Sequence, residues 1–313
     1  MSNLSVIILA AGNGTRMKSS QPKHLHKIGN LEIVSHIIKT AEELGASEII
    51  VVCNELNSEY INNDNVKKVV QYEKLGTAHA TKIGYDAMDD KDNDVVIMYG
   101  DTPLVRSATY KNMLSKLNGD TMQVGLIFKT KDITNRYGRV KVEGDRVIYN
   151  IEYKEADAIM QNSDLCNGAN LASNGRYLGE ILKKIKNNNT AKEYYLTDTI
   201  NISNEDGYIF KYILVDEDEV QGVNSREDLS KAEKIFQDSK REQVMKNGAT
   251  LVDPNTTYFS YDTEIGQDVI IEPNVVFSTG VKIKNNIIIG AFSYLKDCVI
   301  EDGEIIEPYS KYV

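Results

Sequence analysis

The chain has 313 residues, 41% of them hydrophobic and 26% charged, with a formal net charge of −10 and a pI near 5.1. This is an ordinary soluble composition, long enough for two domains, and its acidity excludes the basic footprint that non-specific nucleic-acid binding requires. Anionic small substrates stay open, because a few cations or a metal ion can reverse the field inside one cleft. Cys53, Cys166 and Cys298 are far apart and form no CxxC pair, and His24, His26, His36 and His79 have no partner at zinc-ligand spacing. No stretch approaches the roughly 18 apolar residues of a membrane span. The N-terminus lacks the basic-then-apolar order of a secretory leader, so a cytoplasmic location is expected.

In chain order, the first expected strand is Leu4–Ala10, which runs into the glycine-bearing loop AAGNGTRM. The segment LEIVSHIIKTAEELG sets Ile33, Val34, Ile37, Ile38, Ala41 and Leu44 at helical spacing, with Gly45 as its C-cap. Further strands are expected at Glu48–Cys53, Val66–Gln71, Val95–Tyr99 and Met122–Phe128, aliphatic runs of the kind buried on both faces. A helix follows Gly76, with Thr77 as N-cap. The rhythm predicts an α/β fold with a Rossmann-like, mostly parallel sheet, whose ligands bind beyond the carboxyl ends of the strands. From Arg139 a β-hairpin is expected, turning at Gly144-Asp145. A helix near Gly175–Lys186, the polar loop NNNTAKEYYLTD and a strand at Ile209–Val215 come next. Ser225 and Asp228 frame a capping box for a charged helix that ends at Gly248.

After Gly248 the pattern changes. Ile265, Ile271, Phe277, Ile283, Ile289 and Leu295 recur every six residues, and Val269, Val275, Val281, Ile287 and Val299 form a second row broken by Ser293. The phase slips near Ile300 and resumes at Ile306. Six-residue periodicity is the signature of a parallel β-helix. The domain reading is therefore 1–226, a connecting helix over 227–250, and a short hexapeptide-repeat β-helix over 251–313.

The first loop has the makings of a phosphate site. Gly12 and Gly14 let the backbone approach a ligand, successive N–H groups can form an anion nest, and Arg16 and Lys23 add a planar fork and a point charge. It is not a Walker A loop, which closes on GK[ST], nor a dinucleotide fingerprint, since Met17 stands where the third glycine belongs. On physics alone, a structural turn with two surface cations would serve equally well.

The motifs LAAGNGTRM…QPK, QYEKLGTAHA, YGDTPL, YGR, EYKEA, EYYLTD and GVNSR occur in one order along the chain. Together they resemble the sugar-1-phosphate nucleotidyltransferases, and among these the family of bacterial N-acetylglucosamine-1-phosphate uridylyltransferases. The resemblance implies that UTP and N-acetylglucosamine-1-phosphate give UDP-N-acetylglucosamine, a cell-wall peptidoglycan precursor, and pyrophosphate, by Mg²⁺-assisted in-line attack on the α-phosphate. Under it, Asp101 and Asn224 hold Mg²⁺, and Arg16 and Lys23 act on the triphosphate. Gln71, Gly76 and Thr77 read the uracil together with the backbone of Leu9, Ala10, Ala11 and Gly12, while Gly14 and Gly100 are further substrate-binding positions. Gly138, Glu152 and Asn167 contact the sugar, and Tyr99, Tyr194 and Thr197 line the same cleft. The family places a small hydroxyl residue and then glycine after this asparagine, whereas this chain has Gly168-Ala169.

Each residue also has a plainer reading. Asp101 could be a turn aspartate, Asn224 the residue before a helix cap, and Tyr194 core packing. The resemblance further implies a left-handed β-helix and a homotrimer formed through it. Family members carry an acetyltransferase site on later coils. Fewer than three coils are expected here and no histidine follows His79, so acetyl transfer is expected to be absent. The alternatives are the same chemistry on another sugar-1-phosphate, such as glucose-1-phosphate, and a nucleotide-sugar-binding regulator without catalysis.

Overall fold

Strand β1 (Leu4–Ala10) lies at the heart of a mixed nine-stranded sheet, with β2 (Glu48–Cys53) on one side and β4 (Asp94–Tyr99) on the other. The computed structural model describes residues 3–61 and 63–313. With β3 (Lys67–Val70), β5 (Gln123–Lys129), the hairpin β6 (Arg139–Glu143) and β7 (Arg146–Ile151), β8 (Leu165–Asn174) and β9 (Phe210–Val215), the strand order is β3-β2-β1-β4-β8-β5-β9-β7-β6. The strands β3, β2, β1 and β4 run parallel. Helices α1 (Ile33–Glu43), α2 (Thr77–Asp86), α3 (Ser107–Ser115), α4 (Gly175–Ile181) and α5 (Thr199–Glu205) belong to the same unit. The apolar runs that mark β1, β2 and β4 as two-sided strands are buried almost throughout, including Val6, Ile7, Ile50, Val52 and Ile97. Each such side chain contributes roughly 1.5–3 kcal/mol.

The long strand β8 is absent from the sequence expectation. It runs antiparallel between β4 and β5, and its register breaks between Asn167 and Leu171. A β-bulge of this kind destroys the period-2 alternation that marks a strand. The chain there carries buried Asn170, whose side chain accepts from Tyr99 N (3.1 Å) and Tyr110 Oη (2.8 Å). Helix α5 is likewise absent from the sequence expectation: it begins at Thr199, just after the polar segment NNNTAKEYYLTD, in a stretch given no element. Thr77 is not the N-cap of α2: Gly76 holds that position, and the Thr77 hydroxyl instead accepts Leu196 N–H at 2.9 Å.

The second compact unit comprises residues 26–32 and 225–313. Its helix α6 (Arg226–Lys246) opens with the expected capping box of Ser225 and Asp228. The helix is highly charged, and it docks on the first coil largely through polar groups. The Gln237 amide donates to Phe259 O (2.7 Å) and accepts from Phe259 N (2.9 Å), and Arg241 Nε donates to Thr257 O (2.9 Å). The loop at Gly29 joins this unit, with Gly29 N donating to Glu233 Oε2 at 2.8 Å and Tyr261 N donating to Gly29 O at 2.8 Å.

Beyond α6 the hexads form a parallel β-helix whose three faces stack four, three and three short strands. The expectation of fewer than three coils is therefore corrected: Lys311–Tyr312 supplies the ninth strand and completes the third coil, and Thr250–Leu251 adds a tenth outside the six-residue pattern. Val299 is also corrected. It faces out at 51% exposure, while Ile300 turns in at 2%. Glu264 pairs with Lys282, but Lys282 pairs with Val299, one residue short of the repeat. The coil that loses a residue turns the other side chain inward. Ser293, the polar break in the inner row, is buried with its hydroxyl donating to Gly290 O at 2.7 Å. Among the described residues no helix is long and apolar enough to cross a membrane.

Candidate active site

The end of β1 delivers Leu9–Ala11 to the carboxyl edge of the sheet. Gly100 N donates to Leu9 O (2.9 Å) and Asn54 Nδ2 to Ala11 O (3.2 Å), which fixes the start of the loop. Gly14 then takes the left-handed conformation, with φ 61°. A Cβ on Gly14 would stand 2.5 Å from Lys23 Cβ, so glycine is what lets this loop close on Lys23. The Lys23 ammonium lies 3.0 Å from Asp101 Oδ2 and 3.1 Å from Asn224 Oδ1. Val223 N donates to Asp101 O at 2.8 Å and ties the two loops together at the backbone. Arg16, in contrast, is exposed on the flank of the loop and makes no ion pair among the described residues.

Burial alone would raise the Asp101 carboxyl, but the Lys23 charge and hydrogen bond outweigh it and hold the group below the usual aspartate range. His24, next to Lys23, is buried, and loss of solvent followed by the Lys23 charge drives it down to about 3. Its ring is neutral at pH 7, so it adds no second charge beside the ammonium. Asp101 and Asn224 thus aim one carboxylate and one amide oxygen at a single cationic atom. That donor pair fits Mg²⁺, a hard ion that takes oxygen ligands and completes its shell with phosphate oxygens and water.

At a second end of the cleft, Gln71 is buried and its amide nitrogen reaches Gly76 O (3.3 Å) and His79 Nδ1 (3.0 Å). The segment Leu75–Ala78 pairs with Tyr194, through Tyr194 N to Leu75 O at 2.7 Å and Ala78 N to Tyr194 O at 2.9 Å. Tyr194 and Tyr99 both pack against the hydrophobic core, as the plainer reading has it. Thr197, three residues on from Tyr194, donates to Glu152 Oε1 at 2.9 Å. One short segment therefore links the Gln71 end to a third cluster. There Asn167 N donates to Gly138 O (2.9 Å), Asn167 Nδ2 donates to Asn150 Oδ1 (3.0 Å), and Gly138 faces both Asn150 and Glu152.

Asp198 borders the third cluster. Burial first, then the charges of Glu152 and Glu155, push its carboxyl up to about 6. The native state thus binds this proton more tightly than the unfolded chain, and stability is lost as pH rises from the ordinary value of 3.8 through about 6. Asp198→Asn is expected to be more stable than the parent at pH 7, on the order of 1 kcal/mol once screening at this half-buried site is allowed for. The gain should vanish below about pH 4, where the parent is protonated both folded and unfolded. Denaturant melts at pH 4 and pH 7 check this; an equal difference at both would show that the carboxyl is not perturbed.

Comparison with known proteins bears on this arrangement. Residues 6–133 match the MobA-like NTP transferase domain family, and residues 262–297 match the bacterial transferase hexapeptide repeats. The chain is 38% identical to the bifunctional protein GlmU of Paramagnetospirillum magneticum, over 99% of this chain and 70% of the relative. It is 39% identical to that of Sphingopyxis alaskensis, over 98% of this chain and 69% of the relative. The chain belongs to the GlmU family. It is an enzyme of the sugar-1-phosphate nucleotidyltransferase class, followed by hexapeptide repeats. A crystal structure of a Bacillus anthracis protein assigned as a glucose-1-phosphate thymidylyltransferase superposes with a TM-score of 0.60 at 17% identity, covering 74% of this chain and 94% of that one. That likeness shows the shared fold.

Two further residues shape the site: Glu219, which lies in no motif, and Arg139, which closes the YGR motif without a role being read for it. Glu219 is buried and accepts from Arg106 N (3.2 Å), Arg106 Nη2 (2.6 Å) and the Thr109 hydroxyl. It anchors the start of α3, which follows Asp101, to the turn preceding Asn224. Arg139 is fully buried and pairs with no carboxylate among the described residues. Its guanidinium donates to Tyr137 O (2.7 Å), Ile133 O (2.9 Å), Asn135 Oδ1 (2.9 Å) and Cys166 Sγ (3.2 Å), which ties the segment leading into Gly138 to the residue before Asn167. At the departure from the family pattern, Ala169 adopts φ 70°. This is the left-handed region that a glycine enters without strain, so alanine stands here in a conformation that favours glycine.

Proposed function

We propose that the first domain transfers uridylyl from UTP to N-acetylglucosamine-1-phosphate, giving UDP-N-acetylglucosamine and pyrophosphate. The observation that carries this reading is the convergence of Asp101 Oδ2 and Asn224 Oδ1 on one cationic position at the carboxyl end of the sheet. Mg²⁺ held there by Asp101 and Asn224 would neutralise phosphate charge as the α-phosphorus is attacked. The N–H groups of the Gly12–Gly14 loop and the cations Arg16 and Lys23 hold the triphosphate and stabilise the charge that develops on it, while the backbone of Leu9–Gly12 helps to hold the uracil. Gln71, Gly76 and Thr77 hold the uracil, Gln71 with an amide that both donates and accepts. Gly138, Glu152, Asn167 and Thr197 orient the sugar so that its phosphate oxygen lies in line with the α-phosphorus.

Protein incubated with Mg²⁺, UTP and N-acetylglucosamine-1-phosphate should release pyrophosphate and UDP-N-acetylglucosamine in equal amounts, measured by coupled assay and mass spectrometry. Nucleotide binding without release of either would favour a regulator that has lost catalysis. The Gly168-Ala169 departure is the observation that keeps a second sugar phosphate, such as glucose-1-phosphate, as an alternative acceptor.

The β-helix is proposed to join three copies. Ile270, Ile288 and Ile305 stack in register along one face and are 41%, 40% and 64% exposed. An apolar ladder of this kind marks an interaction surface. Light scattering should give three times the 35.1 kDa chain mass, and Ile288→Asp should lower it. A monomeric parent at the same concentration would remove the trimer.

A further inference from the structure

The Lys23 ammonium stands at the meeting point of the two oxygens proposed to bind the metal. Those oxygens come from residues 78 and 201 positions away in sequence. Its side chain is only 7% exposed. The backbone beneath it is fixed by the 3-10 turn Lys23–Leu25, in which Leu25 N donates to Pro22 O at 3.0 Å, and by the close approach of Gly14. The Lys23 Cα and Cβ are therefore anchored, and the ammonium can leave its place only by swinging the outer part of the side chain. A lysine stem has the rotatable bonds for this.

We propose that Lys23 is a resident cation that fills the metal position in the nucleotide-free protein, so that the divalent ion enters together with a triphosphate and not before it. The proposal rests on the assignment of Asp101 and Asn224 as metal ligands. Asp101 carries one negative charge, which the ammonium already neutralises. A divalent ion entering beside the ammonium would meet a like charge at a few ångströms and would take over two oxygens that the ammonium now uses. An arriving triphosphate changes this balance. It offers the ammonium an anionic partner within reach of the same anchored stem, and it offers the divalent ion further oxygens. The ammonium exchanges carboxylate for phosphate, and Asp101 and Asn224 are released to the metal. Metal and nucleotide then strengthen each other's binding, and thermodynamic reciprocity makes the coupling equal in both directions.

Mn²⁺ alone is the probe, with bound and free ion counted by electron paramagnetic resonance on the full chain without nucleotide. Lys23→Gln and Lys23→Met both remove the charge, and the second keeps an apolar stem of similar length in the buried channel; circular dichroism melts confirm that each is folded. Both should bind Mn²⁺ about tenfold or more tightly than the parent, a size typical of coupled sites. Adding Asp101→Asn to either should abolish that binding. If neither Lys23 variant binds Mn²⁺ more tightly than the parent, the resident-cation proposal is overturned. The metal assignment has its own readout: water-proton relaxation of the parent with Mn²⁺ and UTP, compared with Asp101→Asn. If Asp101→Asn weakens that ternary complex, the assignment stands whatever the Lys23 variants do. If Asp101→Asn has no effect there, or tight Mn²⁺ binding by Lys23→Met survives its addition, the assignment itself fails.

Discussion

Asp101→Asn is expected to lower turnover by about 10³-fold, the equivalent of roughly 4 kcal/mol in the barrier, while the domain stays folded. Asp101 has two separable jobs. The backbone of Asp101 holds the Asn224 loop through the 2.8 Å bond from Val223 N, and asparagine keeps that bond. The side-chain oxygen facing Lys23 is also kept, as a neutral acceptor. What is lost is the negative charge, which a divalent ion needs and a merely structural turn does not. Stability should fall by about 1 kcal/mol at neutral pH, the difference between a charge-assisted and a neutral hydrogen bond. The sign of the pH dependence follows from the depressed Asp101 pKa. Its stabilising contribution is present above the ordinary aspartate value of 3.8 and is lost as pH falls through the lowered native value. The variant should therefore show a flatter acid limb. Steady-state kinetics and pH-dependent melts measure both, and turnover retained within tenfold would show that Asp101 is not a metal ligand.

Gly76→Ala is expected to cost about 2–4 kcal/mol of stability and to raise the KM for UTP about tenfold or more. Gly76 has φ 109°, and a Cβ there would stand 2.5 Å from Tyr194 O and 2.8 Å from Tyr194 N. Those atoms are backbone, pinned by the pairing of Tyr194 with Leu75 and Ala78, so they cannot yield as a flexible side chain would. The displaced segment runs on through Leu196 to Thr197, which touches Glu152, so the sugar end should also loosen. Gly12→Ala is the matching control. A Cβ on Gly12 has no atom within 4 Å and the residue is not in the left-handed region, so stability should stay within about 0.5 kcal/mol. Its UTP affinity should nevertheless fall about tenfold, because the added methyl stands where the loop backbone is proposed to meet phosphate. A Gly12→Ala protein with normal UTP binding would take this loop out of the triphosphate site. Equal melting of Gly76→Ala and the parent would contradict the tight packing against Tyr194.

Legibility in the sequence followed the physics of each element. Two-faced aliphatic runs such as VIIL and IIVVC announce buried parallel strands because both faces must be apolar. The β-helix was legible because each turn repeats one packing problem, and the reading failed at Val299, where one residue is missing from the repeat. Strand β8 was not legible, because its bulge at Asn167–Leu171 breaks alternation and its buried polar residue, Asn170, is satisfied by partners far away in sequence. The candidate site was legible as motifs in order, but their meeting was not. No local pattern places Lys23 between Asp101 and Asn224, or lets Thr197 reach Glu152. Asn150 and Glu219 escaped for a related reason: a buried polar side chain that positions its neighbours has no period and no motif, only hydrogen bonds that folding brings together.

Pyrophosphate release with Mg²⁺ and UTP across a panel of sugar-1-phosphates bears most directly on the proposed reaction. Gly138, Glu152 and Asn167 as the sugar contacts predict the highest kcat/KM for N-acetylglucosamine-1-phosphate, with glucose-1-phosphate lower by about tenfold or more, since a site built to bond a polar substituent discriminates against its absence. A preference for a sugar phosphate lacking the acetamido group would contradict uridylyl transfer to N-acetylglucosamine-1-phosphate as the function of this protein.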